Sequence, residues 1–262
     1  MNDVRPGDES EARIDCAPNF RSVQGLRIGS GLPIRAGRIY RSDAITAASD
    51  GDARRLAQCN IDLVIDLRSG TERTLAPTGT WTSQPPEVHA VDMLAHVEGI
   101  RDPWDSLRHQ PDAIGAEQAM LALYSGFPAA LHGQLPMIMQ RMLAWPGATL
   151  IHCTAGKDRT GFLVAILLSA LGTNRDDVLG NYLQSRGRTN PAARAATEHL
   201  ACVRTGLALP DAAIDRLMSV DEAYLAASFA AIDREFAGIE RYLLSAGITT
   251  ADLGALAARL TG

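Results

Sequence analysis

The sequence predicts an α/β fold, a central sheet covered by helices and followed by a helical C-terminal third. Three observations predict it. Short β-rich runs at residues 37–41, 61–67, 88–91 and 149–152 alternate with stretches carrying helix-start signals. Residues 159–171 are almost wholly apolar, as befits a helix buried on most sides. Residues 175–260 read as several helices, with starts expected at Asp176, Asn190 before Pro191, Asp211, Asp221 and Thr249. Such interleaving packs as layers around one core.

Taken in order, residues 1–18 read as an irregular N-terminal tail, and 19–262 as a single domain. Asp50 is the expected N-cap of a helix reaching Cys59. Residues 92–115 are turn-rich and read as a long loop or a partly ordered cover. A helical pattern begins at about Glu117, with breaks expected near Pro128 and Pro136. Gly172 is the expected stop of the apolar helix.

Composition excludes several classes. The net charge of -5 provides no global field for nucleic acid, although one anion pocket fits inside an acidic shell. The longest apolar run, residues 162–171, is shorter than the ~20 residues a membrane helix needs. Residues 1–10 lack the basic-then-apolar order of a signal peptide, so a cytoplasmic location is the expectation. Cys16, Cys59, Cys153 and Cys202 are irregularly spaced and expected to be reduced thiols. His89, His96, His109, His132 and His199 show no metal-ligand spacing, and neither a metal nor a cofactor is expected.

The chemistry concentrates in His152-Cys153-Thr154-Ala155-Gly156-Lys157-Asp158-Arg159-Thr160-Gly161. The spacing of Cys153 and Arg159 is a weak signal in a chain so rich in arginine. Its setting is stronger: an apolar strand runs in, an apolar helix runs out, and small residues join them. A tight loop ending at a helix N-terminus gathers backbone N–H groups into a concavity for a tetrahedral oxyanion. The same field favours a thiolate at Cys153. Arg159 can fork two bonds onto phosphate oxygens. Gly156 permits close backbone approach, and Gly161 permits tight packing of the helix. Thr160 is expected to donate its hydroxyl to the sulfur, and His152 to hydrogen-bond within the loop.

These residues imply attack by Cys153 on phosphorus, a phosphocysteine, and its hydrolysis. Asp158 is the first choice for the acid that protonates the leaving oxygen, and Asp102 the second. The bland alternative is a core cysteine at a strand end. The charged triplet Lys157-Asp158-Arg159 before an apolar helix argues against it.

The loop resembles that of the protein tyrosine phosphatase superfamily, in the atypical bacterial branch whose loops carry Gly-Lys-Asp-Arg and which is typified by a mycobacterial enzyme. The resemblance extends through Asn19-Phe20-Arg21, Tyr40-Arg41-Ser42, Asp66-Leu67-Arg68 with Glu72, and Tyr124 to Phe127-Pro128. It implies Cys153 as nucleophile, Arg159 as phosphate clamp and Asp158 as in-loop acid, with substrate held by Thr154, Ala155, Gly156, Lys157, Asp158 and Arg159. It implies phosphotyrosine, phosphoserine/threonine and phosphoinositides as substrates, with Lys157, the only lysine in the chain, at the position tied to inositol phosphates. Asp66 matches an acidic residue near the loop that orients Arg159 or Lys157, or else pairs with Arg68 or Arg73. Tyr124 and Phe127 are expected at the pocket mouth, with a core position as their alternative. Two departures stand out. Ser22-Val23-Gln24-Gly25 replaces an aspartate with paired glycines, and the region between Val91 and Tyr124 is shorter than that branch's two-helix lid.

Two rival classes use similar loops. A sulfurtransferase or arsenate reductase leaves the Lys157-Asp158 pair unexplained, and arsenate reduction wants a resolving cysteine. A phosphate-recognising binding module needs only the loop and Arg159.

Overall fold

In the computed structural model, which describes residues 13–93, 102, 104–188 and 191–262, five strands form one sheet. They are β1 (Arg21–Ser22), β2 (Ile39–Ser42), β3 (Ile61–Asp66), β4 (Glu87–Ala90) and β5 (Ala148–His152), in the order β1-β2-β5-β3-β4. β1 is antiparallel to β2, and the other neighbours are parallel. β5 lies at the centre and is buried along its whole length. Its central Leu150 and Ile151 are apolar on both faces, as a strand covered on both sides requires, and the polar Thr149 and His152 are buried with them.

Alternation survives in the choice of face. Leu63, Ile65 and Ile151 enter the larger core, whereas Val64 and Leu150 enter a smaller one on the other face. The smaller core is closed by Leu56 of α1 (Asp50–Ala57), Phe20, Ile14 and Ala17. Ile14 and Ala17, in the stretch read from sequence as a tail, are therefore packed.

The larger core is built by helices. α2 (Gly70–Leu75) and α3 (Asp105–His109) precede α4 (Ala113–His132), α5 (Leu135–Ala144) and α6 (Asp158–Ala170). The C-terminal third is helical as expected: α7 (Arg175–Leu183), α8 (Pro191–Thr205), α9 (Asp211–Met218), α10 (Glu222–Phe236), α11 (Ile239–Ser245) and α12 (Thr250–Thr261). Among the described residues no helix is long and apolar enough to cross a membrane.

Several boundaries differ from the sequence expectation. Ser49, not Asp50, caps α1, accepting from the Asp52 N–H. Asp221 and Thr249 are N-caps as expected, but Asn174 caps α7 two residues before Asp176. Asp211 is the first residue of α9, behind Pro210. Asn190 lies outside the described residues. The turn-rich stretch contains α3, and α4 starts at Ala113 on the Asp112 cap; residues 94–101 and 103 lie outside the described residues. Pro128 sits inside α4 without ending it. Pro136 falls in the first turn of α5, where its missing N–H costs nothing. Gly172 ends the apolar helix with φ +79°, a conformation that glycine adopts freely.

Candidate active site

The C-terminal ends of three parallel strands meet at one point, where open α/β sheets place their sites. Ser42 of β2 and Asp66 of β3 both pair with His152 at the end of β5. Residues 153–157 leave from there and enter α6 at Asp158. Lys157 occupies the N-cap position but makes no side-chain cap bond, so no cap side chain covers the first-turn N–H groups.

The loop is held open by its surroundings. Three successive carbonyls are bound from outside: Thr154 O by the Ala44 N–H at 3.1 Å, Ala155 O by Asn19 Nδ2 at 2.9 Å, and Gly156 O by Arg41 Nη2 at 3.0 Å. In a trans peptide the N–H points opposite to the C=O, so the N–H groups of Ala155, Gly156 and Lys157 face away from these anchors. That is the geometry of an anion nest. Gly156 makes it possible. Its φ is +65°, and a Cβ there would stand 2.3 Å from the carbonyl carbon and oxygen of Ser42. Cys153 sits at the loop's start, 2% exposed.

Arg159 is held by Glu72. Nη1 meets Oε2 at 2.7 Å, Nη2 meets Oε1 at 2.7 Å, and Nη1 also donates to Leu67 O at 3.1 Å. Burial works against both charges, but the mutual hydrogen bonds win: Glu72 is held well below the usual carboxylate range and Arg159 is raised above its ordinary value. Glu72 is fixed in turn. It is the third residue of α2 and closes a capping box with Ser69, accepting the Ser69 N–H at 2.8 Å, and it also accepts the Thr154 hydroxyl. The pattern Ser69-Gly70-Thr71-Glu72 was present in the sequence as a capping box; what it lacked was a sign that Glu72 also reaches Arg159.

Asp66 is directed elsewhere. Its oxygens take Arg68 Nε at 2.9 Å and Nη2 at 2.8 Å, and His152 Nε2 stands 3.7 Å from Oδ2. It therefore braces the turn after β3 through Arg68, rather than orienting Arg159 or Lys157. His152 Nδ1 donates to Cys153 O at 3.1 Å. Burial lowers its pKa despite the nearby Asp66, which keeps the ring neutral.

Asp158 is the hub of a second cluster. Tyr124 Oη donates to Oδ1 at 2.7 Å, and Lys157 Nζ lies 2.9 Å from Oδ2 and 3.0 Å from Oδ1. Tyr182 Oη stands 2.8 Å from Tyr124 Oη. Since the Tyr124 proton is committed to Asp158, Tyr182 is the donor in that pair. Burial pushes both phenols up, so both remain protonated donors. Lys157 is only 4% exposed and also donates to Leu217 O at 2.8 Å and Ser219 O at 3.3 Å, at the end of α9. Its three protons are thus all engaged.

Four residues sit otherwise than the sequence suggests. Phe127 is 1% exposed and packs on Tyr124 and Phe162 in the core, so it lines no pocket mouth. Tyr124 is fully buried as well and reaches the site from below through its hydroxyl. Thr160 Oγ1 is buried with no hydrogen-bond partner among the described residues, so it makes no bond to sulfur in this state. Asp102 caps the Trp104 N–H and pairs with Arg108 at 2.8 Å, away from the loop's own contacts. His96 lies outside the described residues.

The sequence profile of the tyrosine phosphatase family matches residues 12–262. A Cupriavidus necator protein named for tyrosine-protein phosphatase activity is 34% identical over 239 residues, covering 89% of this chain and 82% of its own. The triple specificity protein phosphatase PtpB of Mycobacterium tuberculosis is 28% identical over 273 residues, covering 93% and 96%. A tyrosine-protein phosphatase of Nostoc commune is 25% identical over 232 residues, covering 87% and 75%. A family match over nearly the whole chain, with a relative 34% identical over most of both lengths, leads to one conclusion: the chain belongs to the tyrosine phosphatase family.

Proposed function

We propose that this protein is a metal-independent phosphomonoesterase that hydrolyses phosphotyrosine through a phosphocysteine on Cys153. The observation that carries the reading is the loop itself: a buried cysteine at the start of a turn whose carbonyls are tied outward, with a guanidinium held at its rim by Glu72. The Cys153 thiolate attacks phosphorus, and the P–O bond to the aryl oxygen breaks. Asp158 passes its proton to that oxygen. Water then attacks the phosphocysteine, Asp158 takes its proton, and the S–P bond breaks to return the thiolate. Arg159 and the loop N–H groups hold the three equatorial oxygens through both steps, where charge develops. Thr160 Oγ1, buried and unpartnered at the start of α6, is a donor available to the departing sulfur.

Cys153 is 2% exposed, and such burial favours an extended aryl phosphate over the shorter phosphoserine or phosphothreonine. Phosphoinositides are the second substrate class, and their case rests on Lys157. In this state its ammonium is engaged with Asp158 and the end of α9, so a lipid headgroup must compete with those acceptors. Wild type and Cys153→Ser, assayed with chelator on a phosphotyrosine peptide and on a soluble phosphoinositide, test both parts. Peptide hydrolysis that disappears in the variant supports the reading. Hydrolysis that persists in the variant refutes it, and a preference for the phosphoinositide refutes the substrate order.

A further inference from the structure

Behind the loop lies a cation that the phosphatase mechanism above does not use. Arg41 of β2 is fully buried, and its strand partner Ile151 lies two residues before Cys153. Its guanidinium donates to Gly156 O at 3.0 Å, Asn181 Oδ1 at 2.8 Å, Asn181 O at 3.3 Å and Ser185 Oγ at 3.2 Å. Every one of these acceptors is neutral. Nε is buried and unpartnered, and no carboxylate pairs with Arg41 among the described residues.

A buried charge without a counter-charge is strongly unfavourable, and most buried arginines are paired. The same molecule shows the usual solution twice, in Arg68 with Asp66 and Arg159 with Glu72. Arg41 departs from it. Its neighbours make the position harder still. Arg21 of β1 shares Asn181 O and Ser185 Oγ with it, and Arg188, just after α7, adds a like charge. The chain has nonetheless shaped itself around the guanidinium. Gly161, in the first turn of α6, would place a Cβ 3.3 Å from Arg41 Nη2 and 2.8 Å from the Tyr182 ring.

We propose that Arg41 is a positioning residue whose unpaired charge is balanced by the thiolate of Cys153 and by the phosphate it attacks, so that it holds the nucleophile ionised from behind the loop. Burial pulls the guanidinium down to about 10, and the charge of Cys153 is the foremost influence opposing that, ahead of Tyr124 of α4 and Tyr182 of α7. The loop that begins at Cys153 is thus touched by two cations of different kinds, Arg41 at Gly156 O and Arg159 at Thr154 Oγ1. Arg159, neutralised by Glu72, faces the substrate, whereas Arg41 carries its full charge on the protein side. The bond to Gly156 O couples this charge to the loop that receives the phosphate. The inference rests on Cys153 being the nucleophile.

The test compares Arg41→Gln, which keeps amide donors and loses the charge, with Arg41→Lys, which keeps the charge and loses the fork. The readouts are thiolate absorbance against pH and the rate of iodoacetamide alkylation, each with the Cys153→Ser signal subtracted to remove the other cysteines. In Arg41→Gln the titration of Cys153 moves to higher pH, and alkylation at pH 6 slows about tenfold. Arg41→Lys stays within about threefold of wild type. Equal slowing in both variants, or none in Arg41→Gln, makes Arg41 a structural brace and overturns the proposal. Should Arg41→Gln not fold, Asn181→Asp, which sets a carboxylate beside the Arg41 guanidinium, decides: a Cys153 titration moved to higher pH upholds the role of charge, and an unmoved one overturns it. Phosphatase activity that survives Cys153→Ser is a different failure, since it removes the nucleophile itself.

Discussion

Glu72 and Arg159 face each other with both oxygens and both terminal nitrogens engaged, each pair at 2.7 Å. Arg159 is thus locked in place by Glu72 and the Leu67 carbonyl, and the entropy of ordering its long side chain is already lost in the fold. Removing the charge with Glu72→Gln takes away a charge-assisted bond worth about 1.5–3 kcal/mol. We expect kcat/KM to fall by about tenfold to a hundredfold, measured on an aryl phosphate at neutral pH. The pair also has a pH signature. Glu72 has a depressed pKa in the folded state, so its stabilisation is fully present above its ordinary value of 4.5 and is lost as pH falls below it. Denaturant titrations of wild type and Glu72→Gln should therefore converge as pH is lowered from 6 towards 3. A constant gap would contradict the ion pair.

Asp158→Asn should slow hydrolysis of an ester with a poor leaving group far more than that of an aryl ester with a good one, because only the former needs a proton in the transition state. Steady-state rates on a leaving-group series measure this. Equal losses on both would remove Asp158 as the acid.

The two aromatic residues of α4 should separate cleanly. Phe127→Ala opens a cavity in the core and should cost about 3–5 kcal/mol of stability. Tyr124→Phe keeps the packing and loses the bond to Asp158, so stability should fall by about 1 kcal/mol while kcat drops. Chemical denaturation beside steady-state kinetics distinguishes them.

Asp43 offers an opposite pH dependence to Glu72. It is buried beside the loop, accepting the Asn19 N–H at 3.2 Å and the Ser42 hydroxyl at 3.3 Å. Burial raises it from 3.8 to about 7, outweighing those bonds. A raised carboxyl favours folding at low pH, and that advantage is lost as pH rises from about 4 to about 7. Asp43→Asn keeps an acceptor without the charge, so it should raise stability at pH 8 by about 1–2 kcal/mol and have little effect at pH 4. A stabilisation equal at both pH values would contradict the burial argument.

Gly156→Ala combines a positive φ with a Cβ that meets the Ser42 backbone, which cannot swing aside. Activity should be abolished, with stability lowered by about 2 kcal/mol or more. A folded, active variant would show that the loop does not depend on the approach of β2.

The sheet and the loop were legible because their signals are local. An apolar run at residues 149–152, a turn of small residues and an apolar helix describe strand, nest and helix without reference to the rest of the chain. The partners of those residues were not legible, because they come from distant segments. Glu72 lies 87 positions from Arg159, and Asn181 lies 140 from Arg41. Asp66 is instructive: a carboxylate at a strand end has several arginines within reach, and only the folded turn selects Arg68. Tyr124 and Phe127 share one helix and one short motif, yet a hydroxyl sends one to the site while the other stays in the core. Pro128 was misread because packing of α4 against α9 and α10 outweighs the local cost of proline.

The central claim is a covalent bond between Cys153 and phosphorus. Wild-type protein mixed with an aryl phosphate, quenched in acid during turnover and digested, should yield the peptide bearing Cys153 with one phosphoryl group by mass spectrometry. Asp158→Asn should accumulate more of it with a good leaving group, since its water attack lacks a base. An unmodified Cys153 peptide during turnover, with activity retained in Cys153→Ser, would contradict the account.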